Sequence, residues 1–180
     1  MSKRPVRADY KAFYPISTRW SDNDTYGHIN NVIYYSYFDS VANRYLIEEG
    51  GLDIADGGVV GYVVSSGCDY HAPASYPEAI EGGLRVDRLG NSSVQYGIAI
   101  FREGEDEALA HGHFVHVFVD RAANRSVPIP EGLRAALEKL TAGWPSLLQQ
   151  VAQQQAQHFP AKGRVLQRLG PFSQRRLQAG

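Results

Sequence analysis

The 180-residue sequence has a single cysteine, Cys68. One thiol cannot close a disulfide within the chain or build a cysteine-rich zinc centre. Cys68 is expected to be a small strand residue. No run reaches the roughly 18 apolar residues that a membrane-crossing helix needs. The opening MSKRPVRADYKAF is basic and lacks the apolar centre of a secretory signal. A cytoplasmic protein without membrane attachment is the expectation. Several enzyme motifs are also missing: no G-x-S-x-G elbow, no P-loop and no H-E-x-x-H helix. Nucleophilic serine chemistry, phosphoryl transfer and zinc proteolysis therefore have no basis in the sequence. No internal repeat is present. No basic patch interleaved with aromatics marks a nucleic-acid surface, so no nucleic-acid partner is expected.

The net charge of −1 conceals an asymmetry. Residues 1–140 carry 13 Lys and Arg against 19 Asp and Glu, whereas residues 141–180 carry five basic residues and no acidic one. The latter also place five glutamines within Gln149–Gln155. They read as a loosely attached basic tail, with at most a short helix around Leu147, Leu148 and Val151. Residues 1–9 read as a mobile arm, leaving 10–140 as one domain with a real core.

The chain is organised around Trp20–Gly51, WSDNDTYGHINNVIYYSYFDSVANRYLIEEGG. A polar loop runs directly into an apolar segment with side chains at 33, 34, 37, 38, 41, 42, 45 and 46. That is helical spacing with a wide apolar face. Asn30 or Asn31 can cap the helix, and Gly50–Gly51 can end it. About 20 residues make a rod of roughly 30 Å, enough to cross a small domain. Asp22, Asp24 and His28 then lie at its positive end. A helix start offers unpaired N–H donors that bind an anion or polarise a carbonyl, and a carboxylate beside it stays ionised. The plainer reading is that acidic residues before a helix are caps and dipole partners.

The remaining pattern is mostly β. Alternation over 14–20 predicts a first strand, with Pro15 on an edge or at a bulge. Val59–Ala72, 79–89, Ser93–Arg102 and Ala108–Asp120 predict four more, joined by short polar turns that favour antiparallel neighbours. Pro130–Leu140 predicts a final helix. One amphipathic helix needs a sheet to cover it, so the fold class is α+β with an antiparallel sheet of about five strands.

Two metal readings fail on residue type. Asp22, Asp24 and Gly27 are not an EF-hand, because Tyr26 and Ile33 stand where ligands are required. His111 and His113 share a strand face, but without an evident carboxylate or thiol partner they read as ordinary strand histidines.

The run W-x-D-x-D-x-x-G-H-x-N-N-x-x-Y, formed by Trp20, Asp22, Asp24, Gly27, His28, Asn30, Asn31 and Tyr34, resembles the 4-hydroxybenzoyl-CoA thioesterase family. The likeness continues through Phe38, Asp39 and Arg44, then His71-Ala72-Pro73, Arg88–Val94 and Pro128-Ile129-Pro130. It implies a hot-dog fold, an antiparallel sheet wrapped around the long helix. It also implies hydrolysis of an acyl-CoA thioester by a homodimer or homotetramer; no cofactor and no metal are expected. By that resemblance Asp24 is the catalytic base or nucleophile, and the Asn31 N–H polarises the carbonyl. Gly27, His28, Asn30 and Tyr34 are candidate substrate contacts. Hydrogen bonding within the loop is an equal reading for His28 and Asn30, and core packing is the plainer one for Tyr34. Asp22 reads as ordering or capping the loop. Two other functions fit the same fold: a non-hydrolytic acyl-CoA or acyl-carrier binding protein, and an enoyl-thioester hydratase pairing Asp24 with His28.

Overall fold

The computed structural model describes residues 4–141. The basic, glutamine-rich segment read as a tail lies outside the described residues apart from Thr141. In chain order the elements are β1 (Ala12–Ile16), α1 (Asn31–Glu48), β2 (Val59–Tyr70), β3 (Ile80–Leu89), β4 (Ser93–Arg102), β5 (Ala110–Asp120), β6 (Arg125–Ser126) and α2 (Glu131–Lys139). The sheet order is β1-β3-β4-β5-β2, with β6 paired to β5. All pairs are antiparallel. The sheet curls around α1 in the hot-dog arrangement.

α1 lies where its periodicity puts it. Tyr34, Tyr37, Phe38, Val41, Ala42, Tyr45 and Leu46 are buried, and Ile33 is half-buried. They meet Leu84, Val94, Tyr96, Ile98, Phe114 and Phe118 from the concave face of the sheet. Glycines let the helix approach. A Cβ on Gly82 would collide with Val41, and one on Gly112 would lie 2.7 Å from the Phe38 ring. α2 closes one end by burying Leu133, Ala136 and Leu137, and Tyr45 donates its hydroxyl to the Ala136 carbonyl at 2.7 Å.

Three expectations change. The first strand ends at Ile16, and Trp20–Asp22 form a 3-10 turn. The turn forms because Asp22 folds back onto the main chain of Arg19. Trp20, expected to alternate in a strand, is 79% exposed. Residues 4–9, expected as a mobile arm, are pinned to the β4–β5 turn. Arg7 donates its amide to Asp106, Ala108 donates to Pro5, and Arg4 pairs with Glu107 at 2.7 Å. Finally, β2 and β3 are consecutive but not neighbours, and β2 pairs with β5 at the far edge of the sheet. The connection between them, residues 71–79, passes across the loop that precedes α1.

Candidate active site

The loop before α1 is held from inside by Asp22. This carboxylate is fully buried. It accepts bonds from the Tyr37 hydroxyl at 2.7 Å, the Arg19 amide at 2.8 Å and Arg19 Nε at 3.0 Å. Burial alone would push its pKa up. The bonds from Tyr37 and Arg19 outweigh that, and the net shift is downward. The Asp22 carbonyl also accepts the Asn30 amide at 2.9 Å, closing the loop at its base.

Asp24 sits on the outer part of the loop. Its Oδ1 accepts main-chain N–H bonds from Tyr26 at 2.8 Å and His28 at 3.4 Å, and its own amide donates to the His28 carbonyl at 2.8 Å. Among the described residues no hydrogen bond engages Oδ2. Gly27 makes the turn possible with φ of +82°, a conformation that costs a side-chain-bearing residue about 1 kcal/mol or more.

The other expected residues divide. Asn30 is the helix cap: its Oδ1 accepts the Val32 amide at 3.2 Å, so its acceptor is committed to the helix. Asn31 is the first residue of α1 and is exposed. Its N–H precedes the bonded turns of the helix, and its carbonyl accepts the Tyr70 hydroxyl at 3.0 Å. The His28 ring is exposed, and the bond from His28 to Asp24 comes from the main chain. Tyr34 departs from its expectation. It is buried, in edge contact with Tyr37 and Tyr70, with its hydroxyl on the Ala74 main chain. Among the described residues its ring packs into the core and is 3% exposed. The cause is its place on the inner stripe of α1.

Sequence reasoning missed the strap formed by residues 71–79. The Ile29 amide donates to the Ala74 carbonyl at 2.8 Å, Ser75 Oγ to the Gly27 carbonyl at 2.8 Å, and the Tyr76 amide to Asn23 Oδ1 at 3.0 Å. Trp20 stands edge-to-face with Tyr76 at 6.1 Å. Two prolines in HAPASYPEA were the available signal, since they exclude a tight hairpin there. The strap is anchored at its far end by Arg102, which bonds the Pro73 carbonyl at 2.7 Å and pairs with Glu78.

A groove of about 330 Å³ opens beside this assembly, lined by Pro15, Ser17, Arg19, Tyr37, Ser40 and Arg44 among others. Its two arginines are both engaged, Arg19 with Asp22 and Arg44 with Glu48. The groove does not include Asp24.

Residues 18–137 match the sequence model of the Thioesterase-like superfamily. The chain belongs to that superfamily. This thioesterase-like chain is similar to the PA5185 protein of Pseudomonas aeruginosa, at 60% identity over 79% of this chain and 100% of that one, with a TM-score of 0.78. Its fold is also that of Slr0204, a 1,4-dihydroxy-2-naphthoyl-CoA thioesterase from Synechocystis, at 17% identity over 71% and 96% of the two chains and a TM-score of 0.64. A third likeness is to BH1999, a gentisyl-coenzyme A thioesterase, at 21% identity over 70% and 99% of the chains and a TM-score of 0.63. No curated protein matches the sequence.

Proposed function

We propose that this thioesterase-like protein hydrolyses an acyl-CoA thioester to the free acid and coenzyme A, at the loop that leads into α1. The observation that carries the reading is the setting of Asp24. Two main-chain amides orient its carboxylate through Oδ1, in the loop that leads into α1. A thiolate is a good leaving group, so the reaction needs an oxygen nucleophile or base and a donor for the developing oxyanion. Asp24 supplies the first. It either attacks the carbonyl carbon, expelling the thiolate and leaving a mixed anhydride for water to open, or takes a proton from the water that attacks. The Asn31 N–H supplies the second.

The alternative hydratase reading needs an imidazole acting with Asp24. The His28 ring is exposed, and its bond to Asp24 is made by the backbone, which disfavours that chemistry.

The assembly we infer is a homodimer or homotetramer built on the β2 edge. β2 is 12 residues long and, among the described residues, pairs only with β5. Tyr62, Val63 and Val64 are each about half exposed on it. A long, apolar, unpaired edge is a template for another strand, and a second copy satisfies it.

The deciding experiment is thiol release, read with a thiol-reactive dye, from short, medium, long and aryl acyl-CoAs. Aryl substrates belong in the panel because Slr0204 and BH1999 act on them. Wild type should release thiol, and Asp24→Asn should lose about 10²-fold or more of turnover while remaining folded. Equal turnover in the variant removes Asp24 from its role. Acyl-CoA binding without release would favour the binding-module reading.

A further inference from the structure

His71 and His111 meet on the convex side of the sheet. His71 opens the strap, its amide bonded to the Leu109 carbonyl at 2.8 Å. His111 lies on β5, opposite Asp69 of β2. His71 Nε2 and His111 Nδ1 are 2.8 Å apart. The ring planes differ by 9° and the centroids are 5.0 Å apart. That separation is close to the nitrogen contact plus one ring radius at each end. The rings therefore lie nearly in one plane and meet edge to edge. Two lone pairs cannot face each other at this distance, and a metal ion between them would hold them farther apart. One proton fills the contact.

The surroundings fix which ring donates. Asp69 Oδ2 lies 3.7 Å from His111 Nε2, and its negative charge favours a proton on that nitrogen. His111 Nδ1 then accepts, and His71 Nε2–H donates. The other charged groups acting on His111 come from β3: Arg85 opposes its protonation and Asp87 favours it. His113, two residues along the same face, is 3.4 Å from Ser65 Oγ. The contact has no room for a second proton, because a doubly charged pair must separate. Burial and the neighbouring His71 both hold the His111 pKa below its ordinary value.

We propose that His71 and His111 form a one-proton latch for the active-site loop. Both are positioning residues, acting on Asp24 through the strap. This rests on the role proposed for the Asp24 loop. The mechanical path is short: from His71 the chain reaches Ala74, Ser75 and Tyr76, which hold Ile29, Gly27 and Asn23. With the latch closed, the strap fixes the turn around Gly27 and so the direction of the Asp24 carboxylate. When the accepting His111 Nδ1 gains a proton, below the ordinary imidazole range, two N–H groups face each other, the latch opens and the loop loosens. The reaction thereby acquires an acid limb that does not come from Asp24 itself.

Three forms of the full chain test this: wild type, His71→Ala, and the double variant His71→Gln with His111→Asn. The double variant can restore an amide hydrogen bond across the contact with no titratable proton. Two readouts are followed against pH: amide hydrogen-exchange protection at Ile29 and Tyr76, and kcat separately from KM for thioester cleavage. In wild type, protection should fall about five- to tenfold on acidification through the latch transition, and kcat should fall with it. His71→Ala should show the low value at every pH. The double variant should regain protection and lose the acid limb. Unchanged protection and an unchanged pH profile in both variants would overturn the latch. So would ring-nitrogen NMR showing two imidazoles that titrate independently in wild type. If no thioester is cleaved by any form, the proposed function fails, while hydrogen exchange and NMR still decide the latch.

Discussion

Tyr37 donates its hydroxyl to the buried carboxylate of Asp22 at 2.7 Å, linking the inner stripe of α1 to the loop that precedes the helix. A bond from a neutral donor to a buried charge is worth about 1.5–3 kcal/mol, because its loss leaves the charge short of a partner. Tyr37→Phe should therefore lower stability by about 2 kcal/mol in chemical denaturation. Asp22 also sets an acid limit. Its folded pKa lies below the ordinary 3.8, so its contribution is present above that value and is lost as pH falls through the folded value. Asp22→Asn should flatten stability against pH below about 4, and an unchanged slope would remove Asp22 as its source.

Gly27 gives a second test of the loop. Its φ of +82° strains any side chain, although nothing lies within 4 Å of a Cβ built there. Gly27→Ala should cost only about 1 kcal/mol of stability. It should reduce turnover by more than that cost implies, because the turn aims the Asp24 carboxylate proposed for catalysis. A thermal melt and kcat measured on the same sample separate the two effects.

Much of this arrangement was legible in the sequence. The inner stripe of α1, the span of β4 and the closing helix follow from periodicity, because one buried face repeats along each element. The loop residues to which the proposed function gives roles stand out in the sequence through the D-x-D-x-x-G-H-x-N-N run. The supports of the site do not. Tyr37 reads as one more core aromatic, and only the fold brings it under Asp22. His71 and His111 are 40 positions apart. They meet because β2 crosses to the far edge of the sheet, and no local pattern encodes a crossing. Trp20 was misplaced for a related reason: alternation cannot register a side chain such as Asp22 turning back onto the main chain three residues earlier.

The β2 edge bears on assembly. Val64 falls at the register shift between Val63 and Ser65, where β2 departs from regular pairing with β5. Val63→Lys places a charge on the exposed edge, a device that blocks strand addition. The variant should shift the mass in light scattering toward the protomer, and activity should fall with it if the site is completed by a second copy. An oligomer of unchanged mass would move the interface elsewhere.

His116 is buried in the core beside Tyr96, with ring centroids 5.1 Å apart, and neither of its nitrogens has a hydrogen-bond partner among the described residues. Burial lowers its pKa from 6.5 to about 4, and Asp39 only partly opposes the shift. The sign follows from the unfolded chain, which takes up the proton first as pH falls. Stability contributed by the neutral ring is thus complete above about 6.5 and is lost progressively down to about 4. The gap corresponds to about 3 kcal/mol. His116→Phe keeps a planar ring between Tyr96 and Phe114 and removes both unpaired nitrogens. At neutral pH it should be neutral or stabilising, since an unpaired buried polar group costs about 1–3 kcal/mol. Between pH 7 and 4 the variant should lose less stability than wild type by about 3 kcal/mol. The difference between the two denaturation series isolates His116 from Asp22, which titrates lower. A difference that does not change with pH would mean that the ring is solvated in the native state.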